Sequence, residues 1–291
     1  MIRGFLLCYC LASAAAAQDG KAGSDACKTC HADKLFSFYR NPHFQAGCES
    51  CHGGGKAHIE AGGGKTTIPV AFSLLKAGQV VDACLKCHAR DIERANIRRS
   101  EHTRANIACN RCHSIHNAAT PEHLLAKPQT ELCYTCHGSV RAEFSLPVRH
   151  RVNEGTVQCS DCHNPHGSFA ATWKMGQRPR MVRQVFDSEQ PCVKCHMDKR
   201  GPFVYEHSPV RVEGCASCHS PHGSPNSKLL RRPVVFTLCL ECHNGAPGFA
   251  QQNRGVGLED NSHNMLDPRY QKCTSCHVRI HGSNSDQTFF R

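Results

Sequence analysis

The sequence predicts a mostly irregular chain with short α-helices and little or no sheet. Three observations carry that reading. A five-residue motif, Cys-x-x-Cys-His, recurs ten times in 291 residues. Glycine (23) and proline (15) punctuate the stretches between copies. Hydrophobic periodicity of either the helical or the strand kind is poor there. Regular structure is therefore expected chiefly as single helical turns beginning at the motifs.

The motif is the attachment sequence for c-type haem. Its copies are CKTCH (Cys27, Cys30, His31), CESCH (Cys48, Cys51, His52), CLKCH (Cys84, Cys87, His88), CNRCH (Cys109, Cys112, His113) and CYTCH (Cys133, Cys136, His137). They continue as CSDCH (Cys159, Cys162, His163), CVKCH (Cys192, Cys195, His196), CASCH (Cys215, Cys218, His219), CLECH (Cys239, Cys242, His243) and CTSCH (Cys273, Cys276, His277). Two thiols at this spacing form thioethers with the vinyl groups on one porphyrin edge, and the next residue brings an imidazole under the iron. One copy alone is also compatible with a zinc half-site or a redox pair. Ten copies, each ending in His, favour ten covalently bound haem c groups.

The chain has 22 cysteines and the motifs use 20. The other two, Cys8 and Cys10, lie in MIRGFLLCYCLASAAAA, with a basic start, a short apolar run and a small-residue end. That segment, residues 1–17, reads as a secretory signal peptide cut after Ala17. Neither Cys8 nor Cys10 follows the small residue that lipoprotein processing needs. No free thiol or disulfide is then expected in the mature chain, and export to the periplasm suits haem attachment.

About 274 mature residues leave about 27 per haem, too few for an ordinary core. The haems must be the core, a linear stack sheathed by chain, and folding must be coupled to their binding. The formal charge of +11 is not a nucleic-acid signal. Loss of Arg3 leaves about +10, and ten haems with two propionates each add roughly −10 in the ferric state. The cluster Arg178, Arg180 and Arg183 reads as a solvated loop. After the leader no stretch approaches the ~18–20 apolar residues of a spanning helix.

Of 21 histidines, ten belong to motifs. The others are His43, His58, His102, His116, His123, His150, His166, His207, His222, His263 and His281. One falls in each gap between motifs and one after the last, except that the fourth gap holds both His116 and His123. Intervals between first cysteines run 21, 36, 25, 24, 26, 33, 23, 24 and 34. The run 36, 25, 24, 26 is echoed by 33, 23, 24, 34, and CHSIHN is echoed by CHSPHG. LLAKPQTELCYTCHG likewise matches LLRRPVVFTLCLECHNG. The chain thus repeats a block of four motifs. In that register His58, His166 and His281 correspond, as do His43, His150 and His263. His102 matches His207, and His116 matches His222. His123 falls opposite Lys228 and is read as a surface or supporting imidazole.

The remaining ten are expected to be second axial ligands, giving ten bis-histidine irons. His116, His166 and His222 follow a motif histidine by three residues, about 5 Å along a helix. They are too close to reach the opposite face of the same haem and must serve a neighbouring one. Methionine, the common alternative ligand, is left only at Met175, Met181, Met197 and Met265 after the leader. With every iron saturated and no acid–base cluster between motifs, the reading is an electron carrier with no catalytic residues. At about 10 Å per haem, ten in a row reach ~100 Å, well beyond the ~40–45 Å of a bilayer with headgroups.

The stretch QPCVKCHMDKRGPFVYEHSPVRVEGCASCHSPHGSPNSKLLRRPVVFTLCLECHNG resembles the MtrA/DmsE-type decahaem cytochromes, which include the PioA and MtoA branches. The ten motifs, the leader and the paired HSPV…CxxCHxPHG units extend the resemblance over the mature chain. It implies a periplasmic wire of bis-histidine haems threaded into an outer-membrane β-barrel sheath. Its expected partners are periplasmic or inner-membrane carriers on one side and an extracellular multihaem cytochrome or terminal reductase on the other, with no nucleic acid. Two pentahaem halves, 18–150 and 151–291, are expected. The alternatives are a periplasmic multihaem oxidoreductase with one exchangeable ligand, such as His43 or His123, and a soluble periplasmic shuttle.

Overall fold

A computed structural model describes residues 20–167, 191–243 and 267–290. The leader, the arginine cluster, Met175, Met181, Met265 and His263 lie outside the described residues. Within them the chain is helix-poor and irregular. Its longest helix is Ala77–His88, and the other α-helices span four to six residues. Strand pairing among the described residues is confined to isolated bridges: His113 with Leu125, Val148 with Ser224, Tyr205 with Ser283 and His219 with Leu230.

Helix Ala77–His88 shows why longer elements are scarce. Ala77, Val80, Val81 and Cys84 recur at helical spacing on one face, and that face packs on Ile97 and Ala108 to form a small apolar cluster. Gln79 caps the start by accepting from the Lys76 amide at 2.9 Å, and Asn106 accepts from the Ala77 amide at 3.1 Å. No other stretch among the described residues offers such a face. The helix stops once it has delivered Cys84, Cys87 and His88.

The repeat seen in the motif intervals is present in the backbone. Leu124 and Leu229 both take positive φ, 51° and 57°. The Ser114 amide donates to the Leu124 carbonyl at 2.8 Å, as Ser220 does to Leu229 at 2.7 Å. A third copy closes the C-terminal segment, where Phe289 has φ 63° and receives the Arg279 amide at 2.9 Å. Gly223 marks a place where the fold depends on a missing side chain. A Cβ there would lie 2.0 Å from the Glu143 carbonyl oxygen, so only glycine lets these distant strands meet beside the Val148–Ser224 bridge.

The N-terminal end is tied down by one carboxylate. Glu49 accepts from the amides of Ala22 (2.7 Å), Gly23 (3.1 Å) and Gly55 (2.8 Å). These bonds, Gly55 and Ala22 foremost, hold its carboxyl below the usual range. A carboxylate stabilised in the fold contributes fully above its unfolded pKa of about 4.3 and loses that contribution as pH falls through the lowered native value. Glu49→Gln is expected to speed hydrogen exchange over residues 20–24 several-fold at neutral pH. The wild-type segment should loosen, after correction for intrinsic rates, only under acid.

Candidate metal centres between paired histidines

Each motif is one tight turn. The histidine amide donates to the carbonyl of the first cysteine at 2.8–3.0 Å in nine copies, and the tenth, His88, closes helix Ala77–His88. That turn brings both sulfurs and the imidazole to one side of the backbone. With sites numbered 1 to 10 in motif order, the first cysteines lie beside one another in pairs: Cys27 with Cys48, Cys84 with Cys109, Cys133 with Cys159, Cys192 with Cys215 and Cys239 with Cys273. Between these pairs, Cys51 lies within electrostatic range of Cys84, Cys112 of Cys136, Cys162 of Cys192 and Cys218 of Cys239. Every motif therefore neighbours the next along the chain.

Nine motif histidines face a histidine from another stretch. His31 faces His58 (ring centres 6.2 Å apart), His88 faces His43 (5.8 Å), and His52 faces His116 (6.0 Å). His137 faces His102 (6.1 Å), His113 faces His166 (6.1 Å), and His196 faces His150 (6.3 Å). His163 faces His222 (5.9 Å), His243 faces His207 (6.3 Å), and His219 faces His281 (6.2 Å). Two metal–imidazole bonds of about 2.0–2.1 Å, each extended by the radius of the ring, span about 6 Å. The slots belong to one continuous cavity of about 6310 Å³. An ordinary ligand pocket is roughly 300–1,000 Å³, so the space suits a row of large flat groups. No cluster of three or more potential ligands for a bare metal ion occurs among the described residues.

The pairing differs in one respect from expectation. His116, His166 and His222 face neither their own motif histidine nor that of an adjacent motif. Each faces the motif histidine two sites back. The geometric unit is then two sites rather than four. Even sites 2, 4, 6 and 8 take their partner from behind a later motif, and odd sites 3, 5, 7 and 9 take theirs from a segment ahead of an earlier one. The pairs His113–His166 and His150–His196 both straddle the line at 150/151.

The second ring nitrogen is held in most pairs. A carbonyl can only accept, so Nδ1 donates and Nε2 is left for a metal. Among motif histidines, Nδ1 of His52 donates to Val70 (3.0 Å), of His113 to His123 (2.6 Å), of His219 to Lys228 (2.8 Å) and of His277 to Thr288 (2.6 Å). Among their partners, His102 donates to Pro165 (3.1 Å) and His150 to Pro221 (2.7 Å). His58 reaches Gly64 (3.1 Å) and Thr67 (2.9 Å), and His222 reaches the Glu143 carboxylate (2.7 Å). Burial favours the neutral form a ligand needs at His88, His113, His116, His166, His207, His243 and His281. It is the largest cause lowering His166 and His281 to about 4, ahead of His113 and Lys199 respectively. Phenyl rings wall the sites: Phe72 on His52 (5.4 Å), Phe144 on His222 (5.0 Å) and Phe290 on His277 (4.7 Å).

Sequence reasoning missed Glu143, Asn41 and Arg94. Glu143 is 79 residues from the histidine it holds, and no local pattern marks it. His123 contacts Glu122 at 3.5 Å and its side chain is 74% exposed. Its contribution to site 4 is its carbonyl, and it takes φ 57° to present it, as Lys228 does with φ 55° at site 8.

The chain is 33% identical over 278 residues to the multihaem cytochrome MtrA of Shewanella baltica, covering 90% of this chain and 79% of that one. It belongs to the MtrA-type multihaem c-type cytochromes. The doubled CXXCH motif family matches residues 102–142 and 207–248, and the cytochrome c554 and c-prime family matches 64–114. A polyhaem cytochrome of Geobacter sulfurreducens, OmcC, is 25% identical over 224 residues, 67% of this chain but 26% of that longer protein. This MtrA-type cytochrome therefore binds haem covalently through its CxxCH motifs. Because the His123 side chain is largely exposed and faces no other imidazole among the described residues, His123→Ala is expected to leave the haem content and visible spectrum of the holoprotein unchanged. Loss of a haem or a new high-spin band would contradict that placement.

Proposed function

We propose that this MtrA-type cytochrome is an electron wire of ten bis-histidine haems held in motif order, conducting across the outer membrane inside a β-barrel partner. The supporting observation is that the cysteines of each motif lie near those of the next, from site 1 to site 10. The nine facing histidine pairs would hold the haem irons of sites 1 to 9. His277 and His263 complete site 10, since every other interleaved histidine except His123 has a partner. Bound haem supplies a reversible one-electron Fe(III)/Fe(II) couple.

The residues do the rest. Facing imidazoles such as His52 and His116 would hold an iron from both sides and leave no position for a substrate, so the protein acts as a carrier rather than an enzyme. Carbonyls and Glu143 on Nδ1 strengthen imidazole donation and draw potentials down. The neighbouring cysteines keep successive sites adjacent. No helix among the described residues is long and apolar enough to cross a membrane, and a large barrel offers a polar interior for such a chain. The periplasm, reached by way of the leader, is then the compartment. Sites 1 and 10 are the contacts for periplasmic or inner-membrane carriers and for an extracellular multihaem cytochrome or terminal reductase.

The wire is tested by reconstitution. Liposomes holding a redox dye and bearing the cytochrome in complex with its barrel should pass electrons from external dithionite to the dye, and the cytochrome alone should not. Recovery of the cytochrome only as a free periplasmic monomer would contradict the conduit. Removing one ligand, as in His222→Ala, should convert one iron in ten to a high-spin signal in electron paramagnetic resonance. An unaltered spectrum would contradict the ligand assignment.

A further inference from the structure

A hydrogen bond links each even site to the odd site after it, and one such link is missing. The carbonyl just before an even site's distal histidine receives Nδ1 of the next odd site's distal histidine. Pro165, before His166 of site 4, receives His102 of site 5 at 3.1 Å. Pro221, before His222 of site 6, receives His150 of site 7 at 2.7 Å. The Ile280 backbone, before His281 of site 8, lies beside His207 of site 9 in the same way. The same place before His116 of site 2 is Ile115, which should serve His43 of site 3. Its carbonyl instead receives Asn41 Nδ2 at 2.6 Å.

His43 is left with its Nδ1 buried and without a partner, the one histidine so placed among the described residues. The cause is the residue two before the distal histidine. At His150 and His207 that residue, Val148 or Tyr205, makes a backbone bridge and leaves the carbonyl to the imidazole. At His102 it is Ser100, whose hydroxyl turns back to Thr103 and Ile97. Asn41 is long enough to reach across while its Oδ1 caps the His43 amide at 2.9 Å. The opposite ligand of site 3 is also deprived. Nδ1 of His88 faces the Arg94 guanidinium at 3.4 Å. Arg94 is paired on its other side with Asp91, and its Nε is buried without a partner.

We propose that site 3, formed by Cys84, Cys87, His88 and His43, is the highest-potential site among the nine with described histidine pairs, tuned by Asn41 and Arg94 as positioning residues. An imidazole whose Nδ1–H has no acceptor is a weaker donor, and a cation beside its partner disfavours Fe(III) further, so both features stabilise Fe(II). Haem held by Cys84, Cys87, His88 and His43 would supply a one-electron couple, exchanging an electron with site 2 or site 4 with no bond made and no proton moved. Site 3 is then a resting place for an electron near the N-terminal end of the row. This inference rests on the bis-histidine reading of the sites.

The test is a spectroelectrochemical titration of the holoprotein, with haem count and spin state measured on the same sample. Asn41→Ser keeps a cap for His43 and, like Ser100, returns the carbonyl to the imidazole. Arg94→Gln removes the cation. Each should lower the highest-potential component, one haem in size, by a factor of about ten in the Fe(II)/Fe(III) ratio at fixed potential, equal to about 59 mV for one electron. A highest component that stays in place in both variants, with all haems low-spin, overturns the inference alone. A high-spin iron in the wild type overturns the bis-histidine reading and this inference with it. Should one variant fail to mature, the other decides.

Discussion

An imidazole from one stretch of chain meeting an imidazole from another across about 6 Å is the contact on which this molecule is organised. Side chains alone give it little core: the described residues pack one small cluster around Val80 and Val81. A slot between two histidines is of no use to an empty chain, because neutral rings so far apart attract weakly. Filled by a metal-centred macrocycle, the same slot joins segments up to 64 residues apart, as His52 and His116 show. Cofactor binding and folding are thus one process, and the irregular backbone follows from it. Short turns suffice because the chain needs only to present sulfurs, imidazoles and carbonyls at the right places.

The two-site unit explains how such a row is held together. Cysteines of neighbouring motifs lie near one another, and the facing histidine comes from a segment beyond the neighbouring motif. Carbonyls adjoining one distal histidine then orient another, so alignment passes from site to site. Glycine after a distal histidine, as at Gly223 and Gly282, allows the close approach this requires. Where Asn41 intercepts the Ile115 carbonyl, the linkage lapses without disturbing the pairing itself.

The motif, its number and the scarcity of helix and sheet were legible in the sequence because the attachment chemistry is local: two thiols and an imidazole must share one turn. The repeat sets His123 opposite Lys228, and both positions present a carbonyl to a motif histidine. Which histidine faces which was not legible. His116 follows His113 by three residues yet faces His52, a choice made by the three-dimensional path between sites. Glu143 on His222 and Arg94 beside His88 were hidden for the same reason. Polar groups that tune a site come from wherever the chain happens to pass, and nothing in their own neighbourhood records it.

The order of the sites is the central claim, and iron positions test it most directly. Anomalous diffraction at the iron edge, or a cryo-electron microscopy map of the holoprotein, should reveal ten irons in single file following motif order. The iron of site 2 should lie between His52 and His116, and that of site 4 between His113 and His166. A folded-back cluster, or a file in which motif order is broken, would contradict the account.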